Sequence, residues 1–139
     1  MSYDLGDDNL NKAKEIIDSG IDKAQDVLRE SSKVDEVLFA VAEKLETIPT
    51  AGPILADAPK MISMVKAYIS KEYTEISPKV IISLVAAFIY FVKGIDLIPD
   101  FIPIIGRVDD LAILGAALKI CEPELAAFEQ WRENGKETV

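Results

Sequence analysis

The sequence contains no histidine and only one cysteine, Cys121, among its 139 residues. The lack of histidine excludes Ser-His and Cys-His catalytic pairs and every zinc site that uses histidine. One cysteine cannot form a disulfide within the chain. Because these absences remove most hydrolase templates, we predict that the chain is not an enzyme and that it needs no cofactor.

Basic residues are also few, with 15 Lys and Arg against 24 Asp and Glu, which gives a formal net charge of −9. Such a surface repels the phosphates of nucleic acids unless its basic residues are segregated onto one face, and no such segregation is visible. We therefore expect no nucleic-acid partner. The acidic balance fits a soluble protein or one that binds a basic partner.

The first twelve residues lack the basic region and the apolar run of a secretory signal peptide. A cytoplasmic location is therefore expected, with membrane association as the alternative.

Long hydrophobic runs are scarce, and the longest is VIISLVAAFIYFV, Val80 to Val92, in which Ser83 is the only polar residue. A helix of this length is about 20 Å long, whereas the hydrocarbon core of a bilayer is about 30 Å thick. Ser77 and Pro78 suit the N-cap and the first helical position. The run therefore predicts a helix buried at the centre of a domain, and insertion into a membrane is the alternative.

Amphipathic patterns predict the remaining helices. Apolar residues recur at three- and four-residue steps from Leu10 to Leu28, and a broader apolar face follows Ser32. Asp57 is placed to cap a helix that has Pro59 in its first turn and runs to about Tyr73.

The final predicted helix starts at about Asp110, and Pro123 predicts a kink or a restart within it. We therefore predict an all-α fold, a single compact bundle of four to five helices around one buried apolar helix, with an N-terminal amphipathic helix. The expected divisions are an N-terminal helical segment at 1–31, a helical domain at 32–132 and a polar tail at 133–139. The N-terminal apolar stripe packs either on the bundle or on a second copy of the chain. In the second case the protein is a homodimer.

The stretch GIDLIPDFIPIIGRVDD, residues 94–110, combines acidic, turn-forming and apolar residues. It supplies the candidate functional or structural motif: Asp96, Pro99, Asp100, Pro103, Gly106, Asp109 and Asp110. As helix caps, its aspartates would each contribute about 1 kcal/mol. Alternatively, the four carboxylates converge on Mg²⁺ or Ca²⁺, but their spacing does not match an EF-hand loop. We predict capping and no metal site.

The segment YFVKGIDLIPDFIPIIGRVDDLAIL resembles the signature of the YkvA-like family of small bacterial proteins, in which an Asp-Leu-Ile-Pro-Asp-Phe-Ile-Pro stretch precedes a glycine and an Asp-Asp pair. The resemblance extends over about Lys44 to Trp131. Lys93 and Gly94 depart from the small residues or proline usual before the Ile-Asp-Leu segment. The resemblance implies a helical bacterial protein, suspected of membrane association, with no established activity and no catalytic residues.

A non-enzymatic interaction or scaffold module with a protein partner is the function that these features favour. The alternative is a peripheral membrane protein that inserts the Ile-Pro-rich loop from Phe101 to Ile105. Two further alternatives are an acidic protein that neutralises a basic toxin or nuclease, and a protein that binds metal through its carboxylates.

The aspartates can be tested by substitution. We expect Asp96→Asn and Asp109→Asn to change stability little, because Asn caps helices about as well as Asp, whereas alanine at either position should cost roughly 0.5–2 kcal/mol. Neither Mg²⁺ nor Ca²⁺ should raise the melting temperature. A stabilisation by millimolar Mg²⁺ or Ca²⁺ that disappears in Asp96→Asn would instead identify a metal site.

Overall fold

The computed structural model describes residues 7–46, 53–93 and 110–137. These residues form six α-helices and no strand, which confirms the all-α class. The helices are α1 (Asp7–Ser19), α2 (Ile21–Leu28), α3 (Ser31–Glu46), α4 (Pro53–Ile69), α5 (Pro78–Lys93) and α6 (Asp110–Glu137).

Helix α5 contains the long apolar run and contacts each of the other five helices. Its side chains from Leu84 to Phe91 are all buried, and Ser83 is the one buried polar residue of the described core. An evenly apolar helix must be covered on every side, and the amphipathic helices supply that cover.

The first half of α6 is the second deeply buried segment. Every residue from Ala112 to Leu118 is buried, and α6 packs along α5 and α4. From Lys119 onward α6 alternates between buried and exposed positions, with Cys121, Leu125 and Phe128 on its buried side. The middle of the fold is therefore the pairing of α5 with the start of α6.

The N-terminal pattern forms two helices instead of one, which raises the count above the four to five that the sequence predicts. The break lies at Gly20, whose N–H donates to the carbonyl of Ile17 (3.0 Å), while the Ser19 hydroxyl donates to the carbonyl of Ile16 (2.6 Å). Gly20 is buried against α5, where an added Cβ would lie 3.5 Å from the Cβ of Ala86. That distance is an ordinary van der Waals contact, so the break at Gly20 reflects the poor helix propensity of glycine and not crowding against α5.

The predicted N-terminal stripe is buried within this chain. Ala13, Ile17 and Ala24 are each at most 1% exposed, and they belong to the same hydrophobic core as α5 and α6.

Two prolines behave differently from the sequence prediction. Helix α4 begins at Pro53, so Pro59 lies inside it instead of in its first turn, and the helix ends at Ile69 instead of continuing to Tyr73. Helix α6 continues through Pro123 without a restart. The buried residues on both sides of each proline explain this, because packing against the core keeps the helix in register across the missing N–H donor.

A helix that crosses a bilayer needs about 20 consecutive, mostly apolar residues. None of the helices within the described ranges is both long enough and apolar enough to cross a bilayer.

Helix α4 ends in a Schellman motif that has a lysine at its left-handed position. The N–H of Glu72 donates to the carbonyl of Ala67 (3.0 Å), the N–H of Lys71 donates to the carbonyl of Tyr68 (3.1 Å), and Lys71 has φ 68°. Glycine is the residue that usually occupies this position, because it has no Cβ to clash in the left-handed conformation. The connector after α4 therefore begins with a strained residue.

We expect Lys71→Gly to raise the free energy of unfolding by about 1 kcal/mol, since it relieves the left-handed strain of an L-residue. The same substitution at the exposed Lys66, inside α4, is the matched control and should cost about 1 kcal/mol. Guanidinium unfolding followed by circular dichroism measures both changes. If both variants are destabilised equally, Lys71 does not adopt the left-handed conformation.

Candidate functional site

Most of the predicted motif lies outside the described residues. Asp110 is the first residue of α6. The other motif residues all lie outside the described ranges: Asp96, Pro99, Asp100, Pro103, Gly106 and Asp109.

The end of α5 that leads into this motif is held by Lys44 of α3. Its ammonium donates to the carbonyl of Phe91 (2.5 Å) and lies 4.7 Å from the centre of the Phe91 ring. A cation at a helix C-terminus binds carbonyls that lack a partner within the helix and also interacts favourably with the helix dipole. Lys44 therefore ties α3 to the last turn of α5.

Among the described residues there is neither a cluster of metal-ligating side chains nor an exposed cysteine. Within the described ranges, no three His, Cys, Asp or Glu side chains are grouped so that they would hold a metal ion. Cys121 is buried, and this burial, with a smaller effect of the Glu124 carboxylate, raises the pKa of its thiol to about 12. Since the thiolate is the nucleophilic form of cysteine, Cys121 is unreactive at neutral pH.

An aromatic cluster joins α6 to the connector between α4 and α5. The cluster consists of Tyr73, Phe128 and Trp131. The Trp131 ring centre lies 4.9 Å from that of Tyr73 and 5.7 Å from that of Phe128, and the Tyr73 and Phe128 rings meet edge to face at 5.4 Å. Tyr73 and Phe128 are buried, whereas Trp131 is 39% exposed. The indole is thus fixed by two buried rings and still presents part of its surface to solvent.

A cleft of about 730 Å³ lies beside Trp131, between α3, α4 and the end of α6. We call it the larger cleft. Apolar side chains, including Val34, Leu38 and Phe128, line part of its wall. Its charged lining residues are balanced in sign: Lys66, Arg132, Asp35 and Glu72.

A second cleft, of about 450 Å³, lies between the α4–α5 connector and α6, and we call it the smaller cleft. Glu72 and Trp131 border both clefts. The two clefts therefore meet at Glu72 and Trp131 and form one continuous surface, which we call the Trp131 surface.

The sequence prediction missed the Trp131 surface. One feature of the sequence pointed to it: Phe128 and the sole tryptophan, Trp131, are three residues apart. At that spacing they are neighbours on one side of a helix whose last turns are otherwise polar. Their contact with Tyr73 depends on how α6 packs, and periodicity alone does not provide that information.

Comparison with known proteins gives a family and one relative. Residues 80–116 match the family described as Protein of unknown function (DUF1232), a shorter stretch than the one from Lys44 to Trp131 that the sequence suggested. Of these residues, the structure describes α5 from Val80 and the first two turns of α6, which include the most buried described segments, and residues 94–109 lie outside the described ranges.

The chain is also similar to a protein of Bacillus subtilis (strain 168) named Uncharacterized membrane protein YkvA, at 35% identity over 69 residues. Those residues are 50% of this chain and 65% of the relative, so the chain spans less than two thirds of the relative's length. No solved structure matches the chain significantly. The resemblance to YkvA-like proteins that the sequence predicts is confirmed, and residues 80–116 are similar to the DUF1232 family.

Proposed function

We propose that this chain is a non-enzymatic protein-binding module that contacts its partner through the Trp131 surface. The observation that carries the proposal is the partly exposed indole, held by Tyr73 and Phe128 at the edge of the larger cleft. Tryptophan is enriched among the residues that dominate binding energy at protein interfaces. A side chain fixed before binding loses little conformational entropy when a partner arrives.

The lack of histidine and the burial of the sole cysteine support the non-enzymatic part of the proposal. There is no histidine to act as a base, and the buried Cys121 thiol stays protonated at neutral pH. The larger cleft is suited to an apolar side chain from a partner protein, because its charged lining residues are balanced and part of its wall is apolar.

Trp131→Ala should weaken binding of the partner by roughly 30-fold or more, the effect expected for an interface residue worth about 2 kcal/mol. Phe39→Ala is the matched control: Phe39 is 65% exposed and does not line either cleft, so its loss should leave binding unchanged. Ser70→Tyr is a second test, because Ser70 is an exposed residue of the larger cleft and a bulky ring there obstructs the cleft without removing the aromatic cluster.

The experiment begins with capture of the partner from native cells and ends with the affinity of the purified pair by calorimetry. Thermal melting establishes that each variant is folded. Binding that is unchanged in both Trp131→Ala and Ser70→Tyr would overturn the proposal.

A peripheral membrane role is the second candidate, because the name of the Bacillus subtilis relative calls that protein a membrane protein. Under this alternative the Ile-Pro-rich loop, predicted from the sequence at Phe101 to Ile105, inserts into the lipid. Flotation with liposomes tests it: the parent chain should rise with the vesicles and Phe101→Ser should not. A parent chain that stays at the bottom of the gradient contradicts the membrane role.

A further inference from the structure

The smaller cleft has a different charge from the larger one. Its polar lining residues are Glu72, Thr74, Glu75, Gln130 and Asn134, and neither lysine nor arginine lines it among the described residues. Trp131 and Tyr73 supply its aromatic side. The cleft therefore combines two carboxylates with a partly exposed indole.

Arg132, the cationic residue that follows Trp131 in the chain, already has partners. The guanidinium of Arg132 lies 3.1 Å from a carboxylate oxygen of Glu129 and 5.2 Å from the centre of the Phe128 ring. Among the ion pairs of the described residues, none involves Glu72 or Glu75. The two carboxylates thus give the smaller cleft a negative potential that its own lining does not neutralise.

Both glutamates are carried by a connector with a fixed backbone. Glu72 donates its N–H to Ala67 (3.0 Å), as does Tyr73 (3.2 Å), so the chain is held against the end of α4. On either side of Glu75, Tyr73 and Ile76 are buried. These anchors fix the backbone from which both glutamates reach the cleft, so binding has to order only the two side chains.

We infer that the smaller cleft binds a lysine or arginine side chain from a basic segment of the partner protein. The cation lies between the carboxylates of Glu72 and Glu75 and against the indole of Trp131, where ion pairing and the cation–π interaction act together. This inference rests on the proposed function, because Glu72 and Trp131 border both clefts. The larger cleft then takes an apolar side chain of the same segment, and the net charge of −9 speeds the approach of a basic partner.

The test uses the fluorescence of Trp131, which is the only tryptophan of the chain and so reports on this surface alone. One probe is a short synthetic peptide of leucine and lysine, and its matched partner has glutamine in place of every lysine. We expect a saturable fluorescence change with the lysine peptide and binding about tenfold weaker with the glutamine peptide, in line with the loss of charge-assisted contacts.

A pair of double variants separates the cleft from the overall charge of the chain. Glu72→Gln with Glu75→Gln should weaken binding of the lysine peptide about tenfold. Glu43→Gln with Glu46→Gln removes the same charge from exposed positions of α3 that line neither cleft, and it should change binding little at physiological salt. Equal losses in the two double variants, or equal affinity for the two peptides, would overturn the inference.

Two outcomes would assign the cleft to another occupant and also overturn the inference. One is displacement of the lysine peptide by Mg²⁺ at constant ionic strength, and the other is a Trp131 response to vesicles of anionic lipid that exceeds the response to the lysine peptide.

The inference and the proposed function fail differently. If capture of the partner depends on Trp131 but the peptides show no preference for lysine, only the cation contact is wrong. If the lysine preference holds but capture is independent of Trp131 and of the larger cleft, the proposed function is wrong.

Discussion

Phe88→Ala should lower the free energy of unfolding by about 3–5 kcal/mol, the usual loss when a buried phenylalanine is removed from a packed core. Phe88 lies in the middle of α5 and has no exposed surface. Its ring belongs to the hydrophobic core that α5 shares with the other helices, so its removal would leave a cavity there. Since small domains are stable by about 5–15 kcal/mol in total, this one substitution removes a large part of the stability.

The control is the same substitution at Phe39, which is 65% exposed on α3 and should change stability by no more than about 0.5 kcal/mol. Urea or guanidinium unfolding followed by circular dichroism gives both values. Similar losses in Phe88→Ala and Phe39→Ala would show that α5 does not occupy the centre of the fold.

The position of α5 was predictable because a helix with this sequence, in a protein surrounded by water, has to lie at the centre of the fold. A run that is apolar on every side, bounded by Ser77 and Pro78 before it and by Lys93 after it, has to be covered all round. The buried sides of the amphipathic helices were predictable for a similar reason, and Met61, Met64 and Val65 of α4 are buried as their spacing indicates.

The helix boundaries were less predictable, because local signals compete there with packing. Pro59 suggested the start of a helix and Pro123 suggested a break, but both lie inside helices. Gly20, a poor helix former, interrupts a pattern that reads as continuous, and it packs on Ala86, a residue far away in the sequence. Contacts of this kind depend on the tertiary fold, so a pattern along one segment does not reveal them.

The candidate site shows the same limit more strongly. The predicted motif of residues 94–110 rests on a local concentration of acids and prolines, which the sequence displays directly. The Trp131 surface depends on four elements that meet only in the folded chain: α3 and α4 form one wall, the connector carries Glu72 and Tyr73, and α6 carries Trp131. Single aromatic residues in separate segments carry no sign that they will meet.

The described parts of the family match and the Trp131 surface use different residues. Within residues 80–116, the described segments 80–93 and 110–116 contribute the pairing of α5 with the start of α6, whereas the Trp131 surface uses the end of α6 and the connector before α5. The described side chains in that pairing are mostly buried, so they specify the frame of the fold. The exposed surface on that frame is where the choice of partner is made, because recognition requires groups that a partner can reach.

Pro123→Ala should raise the free energy of unfolding by about 2–2.5 kcal/mol, the second large change that we expect. Proline inside a helix lacks the N–H that would donate to the carbonyl of Lys119, four residues earlier, and in a helix interior it costs about 3 kcal/mol relative to alanine. Alanine also makes the unfolded chain more flexible, which offsets about 0.4–1 kcal/mol of the gain. Pro123 is exposed, so its replacement leaves no cavity in the core.

The control is Glu122→Ala, at the adjacent exposed position of α6. It removes a side chain without restoring a hydrogen bond, so it should change the free energy of unfolding by no more than about 0.5 kcal/mol. Chemical unfolding measures the free energies, and amide hydrogen exchange around residues 119–127 shows whether the gain is local to α6. A loss of stability in Pro123→Ala would mean that the rigid ring stabilises the chain more by restricting its unfolded state than it destabilises the helix. A gain accompanied by slower exchange on both sides of residue 123 would show that the core contacts of Leu118, Leu125 and Phe128 hold α6 continuous against the preference of its own sequence.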